Sequence, residues 1–182
     1  MDTPPEEHPT PKVKKTKNQL TGQIGEALVV AELGRRGFVA TSFTNNVPEI
    51  DLLAYKDGKT LAIQVKAWRV DSGQFNAGDF LHLEWEGDYQ KINGLKQVVK
   101  EPIYVFVRIA DFPPTEKNSM DQFYILTKVD LQKIIYQNHQ ECLARHNGIR
   151  PKNSQSPHCS AKLEDLHQFR DNWELIDEGL KA

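Results

Sequence analysis

Residues 48–66, PEIDLLAYKDGKTLAIQVK, constrain this chain more than any other segment, because two apolar runs flank a short Asp-Gly turn. Residues 52–55 predict one β-strand and residues 61–65 predict the returning strand of a hairpin. Two charged residues interrupt the apolar pattern, Asp51 before the first strand and Lys66 after the second. A charge buried near such a hairpin costs several kcal/mol unless a partner or a metal ion compensates it. The pattern therefore predicts a hairpin that carries a polar site.

The hairpin is expected to bring oxygen ligands together. Counting outward from the turn places Asp51 near the level of Gln64 and Lys66, since paired strands match residue against residue. Gln64 and Lys66 share a face, whereas Val65 points the other way and offers its main-chain carbonyl. A carboxylate, an amide oxygen and a carbonyl suit Mg²⁺ or Mn²⁺. The Lys66 ammonium can hold an attacking water or stabilise charge on a phosphate, so these residues suffice for metal-assisted phosphodiester hydrolysis.

A helix upstream supplies a further acidic residue. Apolar residues at helical spacing predict a helix over residues 21–37, and Gly37 is a plausible C-terminal stop. Glu26 lies in its first turns beside Gly22 and Gly25, whose missing side chains permit close approach. Glu26 is therefore expected to reach the metal end of the hairpin.

In this order, the segments IGEALVVAEL, EIDLLAY and AIQVKAW resemble the PD-(D/E)XK nuclease superfamily over roughly residues 20–109. The resemblance implies a restriction-endonuclease-like α/β core, with a central mixed β-sheet flanked by helices in the order α-β-β-β-α-β, followed here by a C-terminal helical extension. It implies that Glu26 is the helix-borne acid, that Asp51 is the acid of the first motif, and that Gln64 with Lys66 forms the (D/E)-x-K element. The implied cofactor is Mg²⁺ or Mn²⁺ and the implied partner is DNA.

Two positions depart from the common pattern of that family. Gln64 replaces the usual Glu or Asp, and Glu49 rather than Asp follows Pro48. Gln-x-Lys resembles the variant of Mrr-type restriction enzymes, although it removes one negative charge from the metal site. The expected function is a metal-dependent DNA endonuclease of restriction, defence or repair. The alternative is an inactive nuclease-fold module that binds nucleic acid or a protein.

Each of these residues also has a purely structural interpretation. Asp51 can cap a turn, Lys66 can be an exposed edge residue, and Glu26 can be a solvated carboxylate on a helix. Glu49 can be an auxiliary ligand or a solvated strand-end residue. Cutting both strands of a duplex is compatible with a homodimer, which the sequence itself does not show.

Two further constellations contain metal-ligand residue types. One predicted helix carries His139, Cys142 and His146, and the pair His158-Cys159 follows it. Histidine and cysteine are the ligands that zinc prefers. An apolar stripe through the same helix favours packing instead. His82, Glu84 and Glu86 share a face of a predicted strand and can bind a second metal, although alternation on a half-exposed strand also explains them.

Length and composition fit a single domain. The 182 residues contain 38% hydrophobic residues, and no apolar run approaches a membrane-spanning length. Residues 1–18, rich in Pro and charge, are expected to form a disordered tail and residues 19–182 a single nuclease-like domain. Two cysteines are too few for a disulfide framework, so a cytoplasmic location is expected. A net charge of -2 means that contact with nucleic acid must depend on local basic residues.

The remaining elements follow from periodicity and turn residues. Strands are predicted at residues 38–44, 80–83, 103–109 and 123–126, helices at 88–99, 129–146 and 163–175, and exposed connections at 111–120 and 147–160.

Overall fold

The structure is a computed structural model that describes residues 12–47, 49–98 and 102–181. The helices are α1 (Lys12–Arg35), α2 (Lys128–Arg145), α3 (Leu163–Leu166) and α4 (Glu174–Gly179). The strands are β1 (Val39–Val47), β2 (Ile50–Lys56), β3 (Lys59–Trp68), β4 (Ser72–Asn76), β5 (Leu81–Glu86), β6 (Tyr89–Leu95), β7 (Ile103–Arg108), β8 (Gln122–Leu126) and β9 (His158–Lys162). Short 3₁₀ turns lie at Ala77–Asp79 and His167–Phe169.

A five-stranded sheet in the order β1-β2-β3-β7-β8 forms the centre of the protein. Its strand pairs are antiparallel except β3 and β7, which run parallel, so the sheet is mixed. The predicted fold class, a central mixed sheet flanked by helices, is confirmed. The β2–β3 hairpin also forms as predicted, with Lys56 opposite Lys59. Asp57 and Gly58 make its turn with φ values of 50° and 79°, the positive values that a tight two-residue turn of this kind needs.

The two faces of the sheet pack against different layers. On one face, Val29 and Leu33 of α1 join buried sheet residues such as Ile63 and Val105 in a first core. On the other, Leu131 and Ile135 of α2 belong to a second core together with sheet residues. All six residues of β7 are buried, as expected for a strand covered on both faces. Predicted α2 residues Leu131, Ile134, Ile135 and Leu143 are buried, and Trp173 lies in the first core.

Three predicted elements differ in the structure. The predicted helix at residues 163–175 is instead α3, a 3₁₀ turn and the start of α4. The other two differences lie in two small ribbons. The predicted helix at residues 88–99 is instead β6, which pairs with β5. Its side chains alternate at period two, with Gln90 buried and its neighbours exposed, and this alternation favours a strand. Part of the predicted connection at 147–160 is β9, which pairs with β4 through Phe75 and Cys159. β4 was not predicted at all.

Helix α1 begins at Lys12, well before the predicted start at Thr21. Residues 12–18 of the predicted tail are therefore helical, while residues 1–11 lie outside the described part of the chain. The division into a tail and a domain at residue 19 remains a prediction. Within the described ranges, no helix combines the length and apolar character required to cross a lipid bilayer.

Candidate functional site

Asp51 lies near the start of β2 and accepts two hydrogen bonds from β3. Its Oδ2 accepts from the backbone N–H of Val65 at 2.7 Å and from the side-chain amide of Gln64. Leu52 pairs with Ile63, so the register brings Asp51 level with Gln64. This geometry agrees with the sequence prediction that the side chains of Asp51 and Gln64 meet.

The backbone of Val65 is directed toward the same acid. In a β-strand, the N–H and C=O groups of one residue point to the same side of the strand. Because the N–H of Val65 donates to Asp51, its carbonyl also points to the β2 side, while its side chain lies in the first core. A backbone oxygen is thus directed toward the side on which Asp51 lies.

Glu26 of α1 is close enough to Asp51 for their charges to interact. Partial burial raises the pKa of the Glu26 carboxyl above its ordinary value, and the negative charge of Asp51 raises it further. A hydrogen bond from Ser42 opposes both effects. Ser42 pairs with Leu52 in the sheet, which places it beside the start of β2, but its sequence context gave no reason to predict this role. Two carboxyl groups therefore converge here and would favour a cation between them.

Close packing of α1 on β3 positions Glu26. A Cβ atom added at Gly25 would lie 2.3 Å from the Cβ of Ala67, a distance that two carbon atoms cannot adopt. Gly25→Ala is therefore expected to push α1 from the sheet and to lower the free energy of unfolding by about 1–3 kcal/mol. Urea denaturation measures this change.

Gly22→Ala is the matched control, because no heavy atom lies within 4 Å of a Cβ added at Gly22. In the interior of α1, alanine is expected to stabilise the protein by up to about 1 kcal/mol relative to glycine. If both substitutions change stability equally, Gly25 is not a packing contact.

Lys66 lines a cavity of about 360 Å³ on the second face of the sheet, together with Gln64, Glu49 and Lys128. Within the described ranges, the Lys66 ammonium forms no hydrogen bond or ion pair, unlike Lys56 one strand away, which pairs with Asp177. Lys128 begins α2 and lies 3.3 Å from a carboxylate oxygen of Glu49. We call this cavity the Lys66 groove. Its further lining residues, which the sequence prediction missed, are Gln74, Phe75, Asn76, Asp79, Phe80 and Tyr104.

The oxygen atoms at the Asp51 site fit a hard divalent cation in chemical type. Asp51 and Glu26 supply carboxylates, Gln64 an amide oxygen and Val65 a carbonyl, all of which are ligands of Mg²⁺ and Mn²⁺. The described residues contain no cluster of three or more His, Cys, Asp or Glu side chains able to hold a metal. A cation here would therefore depend on two carboxylates and on uncharged oxygens, which predicts modest affinity.

His139, one of the candidate zinc ligands, is held by hydrogen bonds inside the protein. His139 is fully buried, its Nε2 lies 2.9 Å from Gln90 Oε1, and its Nδ1 lies 3.4 Å from Arg150 Nη1. Arginine only donates hydrogen bonds, so Nδ1 accepts and the proton lies on Nε2, which donates to Gln90. Both ring nitrogens are therefore engaged within the protein.

This buried histidine makes stability depend on pH. Burial lowers the pKa of His139 to about 4, and the charge of Arg150 acts in the same direction. In an unfolded chain, the pKa of histidine is about 6.5. The stability that neutral His139 contributes is therefore complete above that pH and is lost as the pH falls toward 4. We expect the free energy of unfolding to fall by about 3 kcal/mol on this account. Urea titrations across this range should show a shallower fall in His139→Gln than in the natural protein; equal slopes would contradict the assignment.

Of the His82, Glu84 and Glu86 set, the two acids are engaged in their own hairpin. Glu84 accepts a hydrogen bond of 2.5 Å from Asn93, and Glu86 pairs with Lys91 at 3.1 Å. These contacts across β5 and β6 agree with the structural interpretation of the alternating pattern.

Comparison with known proteins identifies no sequence relative. No protein-family model matches the chain, and no curated protein matches it in sequence. Among solved structures, the chain is similar to a bacterial homing endonuclease, I-Ssp6803I, with a TM-score of 0.44 and 13% sequence identity over 90% of this chain and 94% of that one. The fold class described above rests on the sheet order and its two packed faces.

Proposed function

We propose that this protein is a metal-dependent endonuclease that hydrolyses phosphodiester bonds in DNA. The observation that supports this most is the convergence of Glu26 and Asp51 at the end of the hairpin, with Lys66 following on the neighbouring strand. Gln64 links this pair of acids to Lys66, because Gln64 donates to Asp51 and lines the Lys66 groove together with Lys66, which has no ion-pair partner among the described residues.

The proposed roles follow from the chemistry of each side chain. Asp51, Gln64, Glu26 and the Val65 carbonyl would hold Mg²⁺ or Mn²⁺ through oxygen atoms. When bound at these oxygen atoms, such an ion would supply a water of lowered pKa and a positive charge for the phosphate oxygens. Lys66 orients the attacking water by hydrogen bonding and offsets the charge that develops on the phosphate. Ser42 would donate a hydrogen bond to Glu26 and favour its charged form.

Cleavage assays with the purified protein test this proposal. Supercoiled plasmid, linear duplex and single-stranded DNA are incubated with Mg²⁺, with Mn²⁺ or with a chelator. We expect cleavage that requires a divalent ion and stops in chelator. Cleavage that continues in chelator, or no cleavage under any condition, contradicts it.

One contact favours the alternative, an inactive module that binds nucleic acid or a protein. Asp51 Oδ2 already accepts from Gln64 and Val65, so the acid is partly compensated without a cation. In this alternative, the amide of Gln64 takes the place of the metal. Binding of DNA without cleavage under any metal condition would support it.

Gln64→Glu distinguishes the metal-dependent endonuclease from the inactive binding module by a measurement other than cleavage activity. The substitution removes the amide donor and places a second carboxylate beside Asp51, so we expect the protein in chelator to lose about 1–3 kcal/mol of stability. Mg²⁺ or Mn²⁺ would then bind more tightly through the added charge and raise the melting temperature more than in the natural protein. Thermal unfolding with and without the ion measures both effects.

Gln137→Glu is the matched control, because it makes the same chemical change on the exposed surface of α2. It is expected to alter neither stability nor the response to metal. A melting temperature of Gln64→Glu that is equally low with and without the ion would mean that this site takes no cation.

A further inference from the structure

A second cavity, of about 150 Å³, lies between α2 and the β4–β9 ribbon and has a basic lining. Arg145, Arg150 and Lys162 contribute cationic side chains and His158 a titratable one, whereas Glu141 contributes an acid. We call it the basic cavity. The proposed catalytic residues do not line it, and the proposed mechanism does not use it.

Both arginines of the basic cavity have donor groups to spare. Arg145 donates from Nε to the backbone oxygen of Glu141 at 3.3 Å, and Arg150 donates to the ring of His139. The ion pairs between described residues include neither arginine, while Lys162 pairs with Glu164 on the surface. The Nε of Arg150 is buried and has no hydrogen-bond partner in the described part of the chain. An unpaired guanidinium donor in a partly buried position favours an anion beside it.

Neutral His139 holds Arg150 in this position. Because burial lowers the pKa of His139 to about 4, its ring is uncharged at neutral pH and accepts a hydrogen bond from Arg150. Apart from burial, Arg150 is the charged group that acts on the pKa of His139. The guanidinium is thus oriented by a neutral acceptor, so its positive charge is available to a ligand.

The basic cavity adjoins the Lys66 groove. Gln74 lines both, and it lies on β4 opposite Ser160 of β9. Along this ribbon, Phe75 and Cys159 point into the second core, while Gln74 is exposed. Gln74 is therefore an uncharged polar residue that the Lys66 groove and the basic cavity share.

We propose that the basic cavity binds a backbone phosphate of the same DNA strand whose scissile phosphate occupies the Lys66 groove. The inference rests on the proposed function. Arg145 and Arg150 donate hydrogen bonds to the phosphate oxygens, and Gln74 lies along the path of the strand. Guanidinium groups suit phosphate because several N–H donors lie in one plane.

Binding measurements with Arg145→Gln and Arg150→Gln test the inference. Fluorescence anisotropy with labelled duplex DNA is recorded in chelator, so that no cleavage occurs, at several salt concentrations. Each substitution is expected to raise Kd about tenfold, since it removes a charged hydrogen bond. It is also expected to reduce the slope of log K against log salt by about 0.9. Lys59→Gln, an exposed cation beside the hairpin turn, should change neither quantity.

Cleavage distinguishes this inference from the proposed function. With Mg²⁺ and DNA below saturation, the two arginine variants should cleave about tenfold more slowly than the natural protein, in proportion to their weaker binding. Unchanged Kd and salt slope in both variants, while the natural protein still cleaves, overturns the inference and leaves the function intact. A natural protein that neither binds nor cleaves DNA overturns both.

A free phosphate anion offers the same oxygen acceptors to the basic cavity as a backbone phosphate of DNA. Inorganic phosphate and a mononucleotide are therefore titrated against the DNA complex of the natural protein and of Arg145→Gln. The inference expects weak competition that the substitution reduces. If phosphate stabilises the natural protein against thermal unfolding but does not displace DNA, the basic cavity is a small-anion site and the inference is wrong. Arg145 lies exposed in the last turn of α2, so its variant stays informative if Arg150→Gln does not fold.

Discussion

Replacing Lys66 with alanine is expected to lower the rate of DNA cleavage about 10²- to 10³-fold, the effect of removing a donor aimed at developing charge. The ammonium has no hydrogen-bond or ion-pair partner in the described part of the chain, so its loss leaves no buried group unsatisfied. Stability should change by less than about 1 kcal/mol. Single-turnover cleavage with Mg²⁺ and urea denaturation measure the two quantities.

Lys59→Ala is the control for this prediction, because Lys59 lies at the opposite end of the same strand and is exposed. Its cleavage rate should match that of the natural protein. If Lys66→Ala cleaves DNA as fast as Lys59→Ala, the nuclease activity comes from another site or from a contaminant.

Asp51→Asn is expected to reduce cleavage about 10³-fold or more, since a metal ion contributes several kcal/mol to the transition state and each tenfold in rate is about 1.4 kcal/mol. Asparagine keeps an oxygen that can accept from Val65, so the hairpin should still form. It removes the negative charge that favours a cation, and calorimetric titration should show weaker Mg²⁺ or Mn²⁺ binding. Retained cleavage with unchanged metal binding would mean that Asp51 is only a structural acceptor.

Asp177→Asn provides the matched carboxylate control. Asp177 pairs with Lys56 at 2.7 Å, and 44% of its side chain is exposed. A partly exposed ion pair contributes about 1 kcal/mol or less to stability, so this variant should retain both metal binding and cleavage. The comparison separates loss of the site from loss of a surface ion pair.

The β2–β3 hairpin and its polar residues are predictable because their signals are local. The Asp-Gly turn fixes the register, and the register brings Asp51 level with Gln64. Helix α2 was predicted with its buried residues for a similar reason, since its apolar period repeats over several turns.

The sequence misses features that depend on distant pairing. Strand β9 is short, and its inward side chains, such as Cys159 and Ala161, are too few to produce a clear period. Its partner β4 lies far away in the chain, and no turn signal connects the two. The Lys66 groove and the basic cavity arise from that pairing and from α2, so Gln74, Lys128 and Arg150 had no individual signal.

The proposed site draws Glu26 from the layer behind the sheet and Lys66 from the face in front of it, on either side of the fully buried β7. A nascent or partly denatured chain that has assembled only one of these layers cannot present the full set of reacting groups. The proposed hydrolysis would then begin only when both layers have packed on the sheet.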